Sequence, residues 1–360
     1  MRAFDCPVCD HFVAFEDSNC SNCSTSFGLH PPSRSMVTVD DRGALIDGEQ
    51  WLRCTQAQTT GCNWLTPAEF DDVEKGRRGR CLADSLIRKE PATDDLEARD
   101  KLTTTAVNLR RLTWQLIDIK LPIIPYWEVE GGLAFDLLSS ATSGEKIIIG
   151  HANGVITIDL DESLDEYREH LRASLNEPYR TMLGHFRHEV GHYYQSQLVE
   201  SEPGAEKYLA ECRALFGDEQ ASYADALTRH YDTGAPQGWR TNFISEYATM
   251  HPWEDFAECF AHYLHITDTI DTCREAGMVL RREKMRFTGP AGDIAPLENY
   301  DDVPVSWMLH DWKWMSLFFN RVNTSMGKDP LYPFELPGPV IDKLGFIHRV
   351  VRDTARATIS

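Results

Sequence analysis

His188-Glu189-Val190-Gly191-His192 is the stretch on which the reading of this chain turns. On a helix, residues four apart share a face, so both imidazoles reach one zinc ion while Glu189 points at a water on that ion. Zinc in such a site needs a third protein ligand and an open position. The side chains that can complete the set are concentrated between Phe243 and Tyr263. There Pro252 suits the first turn of a helix. Phe256, Phe260 and Tyr263, with Ala257, Ala261 and Leu264, give that helix an apolar side, and Glu254, Glu258 and His262 form a separate stripe at i, i+4 and i+8. His251 is an alternative third ligand, but it precedes Pro252 at the helix boundary. His262 reads equally as a partner of Glu258 or as a core histidine. Cys259 is turned away from Glu258 by about 100° and is not expected to act as a nucleophile.

The N-terminus carries a second metal pattern. Cys6-Pro7-Val8-Cys9 and Cys20-Ser21-Asn22-Cys23 are two CxxC pairs whose four sulfurs suit a tetrahedral, structural zinc. So small a module lacks a real apolar core, so the metal is expected to hold it together, with Phe4, Phe12 and Phe15 as cover. Cys54 and Cys62 could join a second metal site, but no second pair is evident, and they read rather as buried free thiols. Thiolate pairs of this kind point to a reducing compartment rather than to disulfides.

Bulk properties exclude several classes. The net charge of -20 repels phosphate backbones, and residues 1–30 carry one Arg against four acidic residues, so the ribbon lacks the basic face of a nucleic-acid reader. No run of about 20 apolar residues is present, and no signal-like stretch precedes Cys6, so a cytoplasmic protein without a membrane span is expected. At 360 residues the chain suits a main domain with a smaller attachment.

The texture between the motifs divides the chain into a zinc ribbon and small β module at residues 1–70, a linker at 71–93, and a larger domain at 94–360. Strands are expected at Met36–Val39 and Ala44–Ile46. Leu96, Leu102, Ala106, Leu109, Leu112 and Leu116 mark one apolar face of a long helix that Pro122 and Pro125 end. Lys146–Ile149 and Val155–Ile158 flank Asn153-Gly154 and read as a hairpin. Val155–Asp159 is the candidate edge on which an extended peptide could pair, and it suits an interior strand equally. Helices are expected over Asp161–Ser174, over Tyr179–Val199 with the zinc motif, and over Val305–Phe319, where Ser316–Phe319 would pack. His151 reads as a loop hydrogen bonder, and His185 as a packing or supporting group beside His188.

Glu254-x-x-x-Glu258 downstream of HExxH resembles the gluzincin pattern, which includes thermolysin. That resemblance implies Glu254 as third zinc ligand and Glu258 as the carboxylate that steadies a ligand histidine. The stretch from Tyr247 to Glu258 also resembles the anthrax lethal factor catalytic domain, which implies that Tyr247 faces the substrate carbonyl. Most of the chain is similar to a group of bacterial zinc-binding metallopeptidases with an N-terminal zinc ribbon. The shared strings include Gly61-Cys62-Asn63-Trp64, Gly150–Gly154, Glu177–Arg180, Gly184–Glu189 and His251–Asp255.

These resemblances imply an α+β fold: a mainly helical, two-lobed zincin-like metallopeptidase domain with a small sheet, preceded by the ribbon. They imply one catalytic and one structural zinc and Glu189 as general base; because a broad cytosolic protease would be hazardous to its own cell, a restricted peptide or protein substrate, or a covered cleft, is expected. The ribbon would offer a site for a protein partner. The rival expectation is a non-enzymatic interaction protein with a metal-stabilised scaffold. A scaffold, however, has no need of Glu189.

Overall fold

A computed structural model of the chain describes residues 3–71, 77–144, 147–163 and 181–359. The fold is mixed α+β, mainly helical with small sheets. It divides into two units, one of Met1–Asp118 with Ile123–Tyr167, the other of Ile119–Pro122 with Arg168–Ser360. No described helix is long and apolar enough to cross a membrane.

In the first unit, two short antiparallel pairings build the N-terminal region. Phe4–Asp5 pairs with Phe12–Val13, and Phe27–His30 with Ser35–Thr38. Ala44–Ile46 joins a different sheet, with Glu49–Arg53 and Leu65–Pro67. The expected linker region carries a short helix at Leu82–Ser85 and strand β1 (Ile87–Lys89), and its Cys81, Ala83 and Asp84 are buried. The expected residues 72–76 of that linker lie outside the described residues.

Helix α1 (Leu96–Asp118) buries Leu102, Ala106, Leu109, Leu112 and Leu116, as its spacing requires. Leu96 does not belong to that face. It stands at the first position of the helix and is 78% exposed. Lys101 of α1 makes a buried ion pair with Asp161 at 2.7 Å. The rest of the helix expected over Asp161–Ser174 lies outside the described residues, apart from a 3-10 turn ending at Ser163.

Four strands form the sheet beside α1: β1, β2 (Ala134–Leu138), β3 (Gly150–Ala152) and β4 (Val155–Asp159), in the order β3-β4-β2-β1. β3 and β4 form the expected hairpin. Ala152 faces Val155 across Asn153-Gly154, whose φ values of 48° and 80° suit a two-residue turn. The first strand is displaced, however. Ile147–Ile149 are not in a strand, and Ile148 is 87% exposed. β4 is an interior strand, antiparallel to β3 and parallel to β2, so it has no free edge for a peptide. The expectation of Val155–Asp159 as a docking edge is therefore corrected: its hydrogen-bonding groups are already committed on both sides.

The second unit is built of helices α2 (Met182–Gln195), α3 (Tyr223–Thr233), α4 (Pro252–Glu275), α5 (Val305–Ser325) and α6 (Gly338–Ile359). The caps explain their starts. Thr181 accepts from the Gly184 N–H, Ser222 from that of Asp225, and the His251 ring from that of Trp253, with Pro252 in the first turn of α4. α2 passes at its C-terminal end into a π-helical turn at Ser196–Glu200. α5 buries Val305, Met308, Leu309, Trp312 and Met315, whereas Leu317 and Phe318, expected to pack it, are exposed.

The central contact of this unit is α2 against α4. Tyr194 of α2 meets Phe260 of α4, both buried, with their rings stacked at 5.7 Å. Gly191 permits the approach. A Cβ there would lie 2.9 Å from the Ala257 Cα and 3.2 Å from the Ala257 carbonyl oxygen and the Phe260 Cβ. α6 braces the far side of α4 through the buried pair Asp255–Lys343 at 2.5 Å.

Gly191→Ala tests this packing. Alanine gains about 1 kcal/mol of helix propensity, but overpacking against backbone costs about 1–3 kcal/mol. We expect a lower urea midpoint for the variant. A midpoint equal to or above wild type would show that the two helices do not need this closeness.

Candidate metal centre

α2 presents His188, Glu189 and His192 from one side, and the first turn of α4 presents Glu254 from the other. The Nε2 atoms of His188 and His192 are 3.2 Å apart, and the Glu254 Oε2 lies 2.9 Å from the former and 3.5 Å from the latter. A tetrahedral zinc with bonds of about 2.0–2.1 Å to nitrogen and oxygen sets ligand–ligand edges of about 3.3 Å. The three donors thus already stand at the separations such an ion imposes, all within 4.8 Å of one another.

The donor set also suits a dication by charge. Glu189 and Glu254 are nearly fully buried and Glu258 is largely so. Three carboxylates packed this closely would otherwise face a desolvation cost of several kcal/mol each.

His188 and Glu254 are each held from behind. The His188 Nδ1 is 2.8 Å from the Glu258 Oε1, one turn after Glu254 on α4. The Tyr223 hydroxyl, on the first residue of α3, donates to the Glu254 Oε1 at 2.8 Å. Glu254 therefore turns one oxygen to the imidazoles and the other to Tyr223. Burial would raise the Glu254 carboxyl, but His192 and His188 hold it well below its ordinary range. Burial likewise opposes charge on His188, and the carboxylates of Glu254 and Glu258 overcome it.

Glu189 lies on α2 between the two imidazoles in sequence. One of its oxygens meets the His185 Nε2 at 3.2 Å, and the other, Oε2, is buried without a hydrogen-bond partner among the described residues. Burial would raise this carboxyl, yet His185 more than offsets it, so Glu189 is ionised at neutral pH. Tyr247 lies in a 3-10 turn just before α4, its ring 6.0 Å from that of His188. Burial, Glu254 and Tyr223 push its hydroxyl well above 10, so it keeps its proton and can donate.

The remaining polar residues are accounted for elsewhere. His251 caps α4 and its Nε2 meets the Ala221 carbonyl at 2.9 Å, which directs the ring away from Glu254. His262 is a core histidine: its Nδ1 is 2.7 Å from the Tyr332 hydroxyl, and burial pushes its pKa down to about 4. Cys259 is buried against Asp255. His151 accepts from the Gly154 N–H within its own turn at 3.2 Å. Tyr223 was not identified from sequence. Its only signal there was a helix start 31 residues before Glu254, which does not reveal a contact.

The four ribbon cysteines converge in the first unit. Cys6 and Cys23 sulfurs are 3.6 Å apart, Cys9 and Cys20 sulfurs 3.7 Å, and all four lie within 4.8 Å of one another. With zinc–sulfur bonds of about 2.3 Å, tetrahedral edges are about 3.8 Å, so the residues fit the ion. Phe4 and Phe15 are buried beside them, but Phe12 points outward and is 63% exposed, because its neighbour Val13 takes the inward position of the strand.

Comparison with known proteins agrees with these two metal patterns. A model of a family described as "putative zinc-binding metallo-peptidase" matches residues 98–350, and one described as a zinc-ribbon domain matches residues 3–92. The chain is 41% identical over 358 residues to Uncharacterized protein Rv2568c of Mycobacterium tuberculosis, covering 99% of this chain and 96% of that one. Uncharacterized protein Mb2598c of Mycobacterium bovis matches to the same extent. No solved structure matches the chain significantly. With the family model spanning residues 98–350, the chain belongs to this zinc-binding metallo-peptidase family and carries an N-terminal zinc-ribbon domain.

Proposed function

We propose that the second unit hydrolyses peptide bonds in a restricted peptide or protein substrate, with His188, His192 and Glu254 as zinc ligands. The observation that carries this reading is Glu189: a buried, ionised carboxylate beside the three donors, with one oxygen uncommitted. A metal-stabilised scaffold would gain nothing from it. A zinc ion held by these residues would polarise a substrate carbonyl and lower the pKa of a water.

The chain's own groups supply the rest. The Glu189 Oε2 takes a proton from the attacking water and delivers it to the departing amine. His185 keeps Glu189 ionised and fixes the orientation of its other oxygen. The Tyr247 hydroxyl donates to the carbonyl oxygen as negative charge builds there. Glu258 and Tyr223 act on the ligands: one orients His188, the other holds Glu254 in the rotamer that faces both imidazoles. Free cysteines grouped in a metal-binding pattern support a reducing compartment such as the cytoplasm as the site of action.

Glu189→Gln should keep its zinc and lose turnover by about 10²–10⁴-fold in a peptide-library cleavage assay with a chelator control. Turnover equal to wild type would sink the assigned base. Tyr247→Phe should lower turnover by about 10²–10³-fold at unchanged zinc content. A large loss of metal instead would mean that this tyrosine supports a ligand rather than the substrate.

Glu258→Ala and Tyr223→Phe should behave in the opposite way. Each is expected to weaken zinc binding by about 10–100-fold in a competition titration with a chelating dye. Wild-type affinity in both would refute their role in orienting the ligands.

A further inference from the structure

We propose that Cys54, Cys62, Cys81 and Asp84 form a second structural zinc site in the first unit, so that the full chain carries three zinc ions rather than two. The proposal does not rest on the hydrolase reading, because the two sites share no residue.

Four donor atoms from three separate segments converge here. Cys54 follows the strand Glu49–Arg53. Cys62 follows the helical turn Ala57–Thr60 and Gly61, whose φ of 65° reverses the chain. Cys81 caps the short helix Leu82–Ser85, and Asp84 lies within its first turn. All four residues are buried, and their ligating atoms lie within 4.8 Å of one another.

The separations are those of a tetrahedron around a metal. Zinc bonds of about 2.3 Å to sulfur and about 2.0 Å to a carboxylate oxygen set edges of about 3.8 Å between sulfurs and about 3.5 Å between sulfur and oxygen. Here the Cys62 and Cys81 sulfurs are 3.7 Å apart, and the Asp84 Oδ2 lies 3.2 Å from the Cys54 sulfur and 3.4 Å from that of Cys81. The sulfur–sulfur distance matches the 3.6 and 3.7 Å of the ribbon site and is far from the roughly 2.05 Å of a disulfide.

The backbone treats these sulfurs as anions. The N–H groups of Gln56 and Cys81 donate to the Cys54 sulfur at 3.4 and 3.2 Å, and that of Asp84 donates to the Cys81 sulfur at 3.4 Å. The Gln56 bond, from two residues beyond the cysteine, repeats the Asn22 bond to Cys20 in the ribbon, also 3.4 Å.

Asp84 decides between a metal site and three thiols packed as small apolar groups. Such packing has no use for a carboxylate in its middle, where burial is costly. Asp84 is fully buried, and its two oxygens are divided. Oδ1 accepts from Arg110 of α1 at 3.1 Å, while Oδ2 faces the sulfurs. Arg110 also bonds the Thr60 hydroxyl and carbonyl. A ligand carboxylate anchored through its second oxygen is the arrangement Tyr223 gives Glu254 in the other unit. Three thiolates and a carboxylate, opposed by a dication and one guanidinium, leave a net charge of about -1, less than the -2 of a four-thiolate zinc site.

The test is a metal count on the full-length chain, reconstituted with zinc under reducing conditions and desalted, by plasma mass spectrometry. Three zinc ions per wild-type chain are expected, and two in Cys62→Ser/Cys81→Ser. His188→Ala/His192→Ala should also hold two, which separates this site from the catalytic one. A cysteine double variant that holds as many zinc ions as wild type would overturn the proposal. A measurement on wild type avoids any failure of the variant to fold. Loaded with cobalt(II), the chain should show thiolate-to-cobalt charge-transfer absorbance from seven thiolates, about 1.75-fold that of a four-thiolate ribbon alone. Absorbance at the four-thiolate level would equally refute the site.

Discussion

The closeness of α2 and α4 is the constraint on which the second unit depends. A zinc ion tolerates ligand separations only within a few tenths of an ångström, and the groups that could hold one here come from residues 62 and 66 positions apart in the chain. Only a close crossing of the two helices brings both imidazoles and the carboxylate to one point. Gly191 makes that crossing possible, because the space a Cβ would need is taken by the Ala257 backbone. The stacked pair of Tyr194 and Phe260 then fixes the rotation of one helix against the other. Each such buried aromatic side chain contributes about 1.5–3 kcal/mol. The geometry of His188, His192 and Glu254 is thus set by apolar packing beside them.

The first unit solves a different problem. Its N-terminal strands are two to five residues long and cannot hold one another by pairing alone. Phe4, Phe15, Trp64 and Trp114 form one buried cluster, and Cys6, Cys20, Cys54, Cys62 and Cys81 lie in the same cluster. Trp114 comes from α1, so the ribbon region shares its core with that helix. Small apolar cores of this kind are stabilised by cross-links, and thiolate sites supply them without disulfides.

What could be read in the sequence was local. The HExxH spacing, the Pro252 helix start, the two CxxC pairs and the Asn153-Gly154 turn each sit within a few residues, and periodicity locates them. Contacts across long separations were not legible. Tyr223 is a helix start like any other until α3 lies beside Glu254. Cys81 stands alone in sequence, and Asp84 carries no mark of a ligand. β4 offers alternating residues that suit an edge or an interior strand equally, and only its pairing with β2 and β3 decides. Failures at Leu96, Phe12, Leu317 and Phe318 share one cause. Each is apolar in a run with apolar neighbours, but sits at an end or on the outer face, where nothing covers it.

The division of labour around Glu254 follows from the same geometry. A carboxylate in the first turn of a helix gains from the dipole of that helix, which favours a negative charge there. Glu258, one turn further along, lies on the same face and so reaches the same imidazole from its other nitrogen. The two acids therefore grip opposite ends of the His188 ring, one on each nitrogen. A single helical repeat of four residues on α4, set against the four-residue repeat on α2, is enough to bring both carboxylates to one imidazole. His262 continues the stripe by four residues but is no longer within reach, because α4 has by then passed into the core, where Tyr332 and Phe334 enclose the ring.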